Sequence, residues 1–219
     1  MDAHIHTSLS DGEGSCFDYI EQATSLGMTS ISFAEHMNDT SAWFEHYIEQ
    51  KTVIQTQAKP LKVYFAGEVK LADWDGCIDM HPSRLSKLDY VIGVLHSYPS
   101  EEGGYHKFEK LSHEEARELV FTLSVKLLTN PFVDVWGHPL GTFTHYYGEY
   151  ELEKLEYLLE LAVHNGKVIE LNGNPRYQLV FEHIVRKCIE MNCLVSIGSD
   201  AHAIHELGQV LAALKKVLF

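Results

Sequence analysis

Short apolar runs rich in β-branched and aromatic residues alternate along the chain with longer stretches of helical period. That alternation predicts βα units and a parallel sheet. Seven runs read as strands: Ala3 to His6, Thr29 to Ala34, Lys62 to Ala66, Tyr90 to Leu95, Val133 to Trp136, Lys167 to Leu171 and Leu194 to Ile197. Helical faces fall between them. Phe17, Ile20, Ala23 and Thr24 form one that stops at Gly27. Ser112 and Glu115 read as a capping box ahead of Ala116, Leu119, Val120, Leu123 and Leu127. Leu155, Leu158, Leu159 and Ala162 form a third face, ended by Asn165-Gly166. Val180, Ile184, Val185 and Ile189 form the next, and Leu207, Val210, Leu211 and Leu214 the last. Ala42 to Gln57 reads as helix with a weaker stripe, and Leu71 to Leu88 and Ser97 to Leu111 read as irregular loops.

No repeat and no linker-like shift in composition divides the chain, so residues 1–219 are expected to form one domain. The expected fold is α/β: a barrel closely related to the (β/α)8 TIM barrel, one unit short. An open doubly wound sheet is the alternative. Composition fits either, with 45% hydrophobic and 22% charged residues, enough apolar material for a core without staples. No apolar run approaches the roughly 18 residues of a membrane span. MDAHIHT has neither the basic start nor the apolar stretch of a signal peptide. Cys16, Cys77, Cys188 and Cys193 are scattered with no C-x-x-C pair, which suits free thiols. A cytoplasmic protein is the expectation. The net charge of −14 disfavours nucleic acid as a partner, because nonspecific binding rests on neutralising phosphates.

Fourteen histidines are the compositional oddity, and their placement carries the chemistry. His4 and His6 lie two apart on the first strand, on one face, so both rings can grip one ion. Asp11 follows in a Ser-Asp-Gly turn. Glu35-His36 follows the second strand and Gly67-Glu68 the third, while His96 ends the fourth and Gly137-His138-Pro139 the fifth. Glu170 and Asn172 flank the end of the sixth, and Ser199-Asp200-Ala201-His202 follows the seventh. Every strand thus delivers a ligand-type side chain at its C-terminal end, the active face of a parallel barrel. The expected metal ligands are His4, His6, Asp11, His36, Glu68, His96, His138, Asp200 and His202. Mixed imidazole and carboxylate suit zinc, manganese or iron. Nine candidates exceed the ligand set of one catalytic zinc, so two or three divalent ions are expected, with Glu68 as a bridge. His46, His81, His106, His113, His145, His164 and His183 fall in helices or loops and read as solvated; His205 lies close to the last motif.

These motifs, in this order, resemble the polymerase and histidinol phosphatase (PHP) family. Its D-x-H-x-H-T opening reads Asp2-Ala3-His4-Ile5-His6-Thr7, its second motif Glu35-His36, and its glycine-preceded glutamate Glu68. His96, the Gly-His-Pro at His138 and the final Ser-Asp-Ala-His from Ser199 to His202 complete the set. The resemblance implies a distorted (β/α)7 TIM-like barrel holding a trinuclear site that hydrolyses phosphate esters through a metal-bridging hydroxide. The expected substrate is a small phosphate monoester, such as histidinol phosphate. Asp200 or His202 would manage the leaving-group proton. Arg176, just beyond the sixth strand, is the first candidate to bind phosphate oxygens, and Arg84 the second. Rival readings are a nuclease or nucleotide hydrolase of the same family, a noncatalytic metal-binding module, and an amide or lactone hydrolase. The last usually recruits a lysine at a strand end; Lys70 lies near Glu68 but is read as off the strand terminus.

Overall fold

In the computed structural model, which describes residues 1–219, all seven runs are strands of one parallel sheet. They are β1 (Asp2–Ile5), β2 (Ser30–His36), β3 (Lys62–Lys70) and β4 (Val91–Val94). After a hairpin of β5 (Tyr98–Pro99) and β6 (Tyr105–His106) come β7 (Val135–Trp136), β8 (Val168–Asn172) and β9 (Val195–Gly198). The spatial order β1-β2-β3-β4-β7-β8-β9 follows the chain. The ends meet through a parallel bridge between Ile5 and Ala201, with the His6 amide donating to the Ala201 carbonyl at 2.9 Å. The sheet is therefore a nearly closed seven-stranded barrel, not the open sheet.

Eight helices accompany the strands: α1 (Cys16–Ser25), α2 (Phe44–Gln57), α3 (Pro82–Leu85), α4 (His113–Thr129), α5 (Gly141–Tyr147), α6 (Leu152–His164), α7 (Gln178–Glu190) and α8 (Gln209–Leu218). Ser112 and Glu115 do form the capping box of α4, and Ser15 and Asp18 form another on α1. The apolar face of α6 is as expected, with Leu155, Leu158, Leu159 and Ala162 buried. In α1 the face is rotated: Cys16, Tyr19 and Ala23 are buried, while Phe17 is 54% exposed. Tyr19 fills the space under β1 and β2 that a hydrophobicity count assigned to Phe17. Ile189 and Leu211 are also exposed, at the outer rims of α7 and α8. The stretches read as loops are partly ordered, holding α3 in one and the hairpin with a short 3-10 turn (Phe108–Lys110) in the other.

Two strands run past their expected ends, to His36 in β2 and to Lys70 in β3. The apolar pattern breaks there because the last side chains facing the lumen are polar and serve the site. Ala34, Ala66, Ile92, Val94 and Val135 form a small apolar layer separate from the two larger clusters under the helices. The strand period of two that places Ala34 and Ala66 in this layer places His36 and Glu68 directly above it.

Candidate metal centre

His4, on β1, and His6, just past its end, are fully buried, with Nε2 atoms 3.1 Å apart. The Nδ1 of His4 lies 2.6 Å from Glu170 Oε1, on β8. Such a carboxylate fixes the ring so that Nε2 offers its lone pair inward. The other Glu170 oxygen accepts from the His138 amide at 2.6 Å and from Asn172 at 3.1 Å. Gly198 lets this pair close: a Cβ there would stand 2.5 Å from Glu170 Oε1 and 2.7 Å from His4 Cβ. Glu170 was visible in the sequence only as a flanking carboxylate. Its work is to orient His4 and to anchor the backbone of His138.

Glu68 sits at the centre. Its Oε1 lies 3.1 Å from His138 Nε2, 3.6 Å from His4 Nε2 and 3.7 Å from His96 Nε2, while Oε2 contacts His36 Nδ1. Burial pushes the Glu68 carboxyl up, but His36, His96 and His138 outweigh it and hold the group well below the usual carboxylate range. His96 and His138 stack at 4.7 Å with Nε2 atoms 2.9 Å apart. Burial lowers the His96 pKa to about 3, more than Glu68 can offset. Tyr177 packs against His138 at 4.6 Å between ring centres, a contact the sequence did not announce.

Asp11, His36 and His202 complete the outer side. Asp11 lies 3.4 Å from His36 Nε2 and 3.5 Å from His202 Nε2, on a turn held by the buried Glu35. Glu35 accepts from the Thr7 amide, the Thr7 hydroxyl at 2.6 Å and the Ser10 hydroxyl at 2.5 Å. Asp200 stands 3.2 Å from His6 Nε2 and accepts from Asn174 at 3.2 Å. Burial raises its pKa, but His4 and His6 outweigh that and keep it low. His138, Leu140 and Asp200 have positive φ, of 25°, 55° and 53°. Strained backbone of this kind persists where surrounding contacts over-determine it, as at functional sites.

The donor set fits divalent metal ions. Ligand atoms of His6, Asp11, His36 and His202, of His4, His6 and Glu68, and of His36, Glu68 and His96 fall into three groups, each within 4.8 Å. His6 Nδ1 is buried without a hydrogen-bond partner, a lone pair or proton with nothing to satisfy it within the protein. All nine expected ligands are brought into this one cluster, with Glu68 shared between two groups.

Proton release on metal loading follows from the same contacts. Burial disfavours the charged form of His4, but Glu170, Asp200 and Glu68 raise its pKa to about 10. His36 is likewise lifted against burial, by Glu68 and Asp11, to about 11. Both lie above the ordinary 6.5, so their pairing stabilises the metal-free fold most below that value and fades as pH rises through the folded pKa. Both rings therefore favour the charged form in metal-free protein, whereas a metal ion takes the neutral ring. Zinc titrated calorimetrically at neutral pH, in buffers of differing ionisation enthalpy, is expected to release about one to two protons per chain. A binding heat independent of buffer would contradict this.

The cluster opens into a cavity of about 830 Å³, whose lining includes Asp11, His36, His96, Asp200, His202 and Arg176. Arg84 is elsewhere. Its guanidinium donates to the carbonyls of Asn38, Asp39 and Ser41 and lies over the Phe44 ring, bracing the loop after β2. Lys70 is the last residue of β3, at the strand terminus after all, but its Nζ lies 4.0 Å from the Tyr105 ring centre and does not line the cavity. Among the histidines read as solvated, His145 does line it, from α5. That helix escaped sequence reading because Gly-Thr-Phe-Thr-His-Tyr-Tyr is poor in helix formers.

The sequence model of the PHP domain matches residues 2–174. The chain belongs to the PHP domain family. Among curated proteins, it is 27% identical over 226 residues to a Caldanaerobacter subterraneus protein named "Probable phosphatase TTE1963", covering 98% of this chain and 81% of that one. It is 25% identical over 214 residues to the DNA polymerase/3'-5' exonuclease PolX of Bacillus subtilis. That match takes in 94% of this chain but spans only 35% of PolX. Among solved structures, the histidinol phosphate phosphatase of Lactococcus lactis, complexed with zinc, L-histidinol and phosphate, superposes with a TM-score of 0.71. The superposition covers all of this chain and 93% of that one at 18% identity, a likeness of fold. No helix is long and apolar enough to cross a membrane.

Proposed function

We propose that this PHP protein is a metal-dependent phosphoesterase that hydrolyses a small phosphate monoester in the cavity above the barrel. The observation that carries the reading is one unpartnered arginine facing a convergent set of imidazoles and carboxylates. Of the four arginines, Arg84 is held by carbonyls, Arg117 pairs with Glu151 and Arg186 with Glu182. Arg176 makes no side-chain hydrogen bond and no ion pair, and it lines the cavity. A guanidinium left free beside such a cluster suits the peripheral oxygens of a phosphate. The names of the Caldanaerobacter and Lactococcus relatives point to the same chemistry.

His4, His6, Asp11, His36, Glu68, His96, His138, Asp200 and His202 would hold two or three divalent ions, zinc, manganese or iron. Such ions supply Lewis-acid activation of the phosphate and make water nucleophilic near neutral pH. Arg176 would orient the phosphate and offset its charge. His202 has its Nδ1 3.0 Å from the Asp200 carbonyl, which fixes the ring; burial opposes its charged form, but Asp11 and Asp200 raise its pKa. Proton delivery to a leaving alkoxide would fall to whichever of His202 and Asp200 is not held by a metal ion. The cavity's size and polar lining suit a small phosphorylated metabolite. With carboxylates facing the cavity and a net charge of −14, nucleic acid is disfavoured.

The test is phosphate release by purified protein with added manganese or zinc, across histidinol phosphate, sugar phosphates and nucleotides. Release from none of them overturns the reading. Arg176→Ala is expected to raise KM for the best substrate by about tenfold or more, the worth of one charged hydrogen bond. An unchanged KM would remove Arg176 from phosphate binding.

A further inference from the structure

One wall of the cavity carries no carboxylate and has no assigned work. Thr142, His145 and Tyr146 are spaced three and four apart on α5, so they share a helix face, and all three line the cavity. Lys107 reaches the same cavity from the exit of the β5–β6 hairpin. None of the three α5 side chains has a hydrogen-bond partner that holds it back. The nearest carboxylate to the Lys107 ammonium is Glu109 Oε1 at 3.9 Å, both side chains being exposed. Lys51, Lys87, Lys154 and Lys187 each have a carboxylate within 3 Å, whereas Lys107 has none so close.

The rest of the lining carries the carboxylates. Asp11 and Asp200 face the histidines, and Glu206 spends one oxygen on the amides of His202 and Ala203. A substrate that puts its phosphate at the metal cluster would therefore extend its leaving group toward hydroxyl, imidazole and ammonium donors. An imidazole offers an N–H in either protonation state, and an ammonium offers three. A neutral alkyl group would leave these donors to water, and a cationic one would meet Lys107.

We propose that Lys107, Thr142, His145 and Tyr146 form a subsite for a second anionic group, so that the cleaved phosphate ester carries a carboxylate or a second phosphate on its leaving-group side. This rests on the phosphoesterase reading and narrows its substrate class. It also sets the preferred substrate apart from one whose leaving alcohol carries an amine.

The experiment compares three series of equal chain length with the manganese- or zinc-loaded protein: alkyl phosphates, phosphooxy-alkanoic acids, and alkanediol bisphosphates. Wild type is expected to cleave one of the two doubly anionic series with kcat/KM about tenfold or more above the alkyl phosphates. Which series wins tells a carboxylate from a phosphate. In Lys107→Ala and in His145→Ala that ratio is expected to fall to about two or less, the change appearing in KM and not in kcat. Lys107→Gln, which keeps the stem, should lose the preference as well. Equal cleavage of all three series, or equal losses on all three in the variants, overturns the second-anion subsite and leaves the phosphoesterase reading standing. Phosphate release from none of the three overturns both.

Discussion

Glu68→Gln is expected to lower kcat/KM by about a thousandfold and to remove at least one metal ion from the protein. Amide and carboxylate have nearly the same shape, so the substitution isolates charge. Glu68 is 2% exposed and touches or approaches five imidazoles on four strands and the loops after them. A neutral amide bridges two cations poorly, and its NH2 would point a donor at rings that need an acceptor. The barrel itself should survive, because the apolar layer of Ala34, Ala66, Ile92, Val94 and Val135 below is untouched. Steady-state kinetics with elemental analysis of the same sample checks the claim. Near-normal activity at full metal content would show that Glu68 is not the shared ligand.

The second large effect concerns stability, and it centres on Asp2. Its carboxylate is fully buried and accepts from the amides of Ser199 at 2.9 Å, Gly208 at 2.9 Å and His4 at 3.4 Å. These bonds tie the first strand to the end of the last and to the start of α8, which is how the barrel closes. Burial raises the Asp2 pKa even against those hydrogen bonds. Asp2→Ala would leave the buried amides of Ser199 and His4 and the half-buried amide of Gly208 without this acceptor, at about 1–3 kcal/mol each, for a total loss of about 3–9 kcal/mol. For a chain of this size that is a fall in Tm of about 10 °C or more. Denaturant unfolding of metal-free protein is the proper check, since bound metal would mask part of the change. A loss under about 1 kcal/mol would mean that the closure is held elsewhere.

The contrast between these residues shows what a reader of the sequence can reach. Glu68 was legible because it follows a glycine at the end of an apolar run, where a lone carboxylate stands out. The seven strands were legible for the same reason, each being a short apolar run closed by a ligand-type residue. Asp2 was legible only as part of a motif. Its partners lie 197 and 206 residues away in sequence, and no local pattern encodes a bond to Gly208. Glu35 was read as one half of a Glu-His pair, yet its side chain faces away from the cluster and fixes the turn that carries Asp11. Phe17 was misplaced because hydrophobicity alone ranks it above Tyr19, whereas the pocket under β1 takes the tyrosine. Arg176 ranked ahead of Arg84 only by its place just beyond the sixth strand. Only tertiary contacts separate a guanidinium spent on three carbonyls from one left facing the cavity. The α5 wall was invisible because its helix is short, aromatic and β-branched, and its histidine resembled any other outside the strand ends.

The central claim is that the C-terminal face of this barrel holds a multinuclear metal centre built on Glu68. The most direct measurement is elemental analysis of the purified chain after equilibrium dialysis against zinc or manganese, beside Glu68→Gln. The account predicts about two to three ions per wild-type chain and fewer in the variant. One ion or none per wild-type chain, or the same content in both proteins, would contradict it.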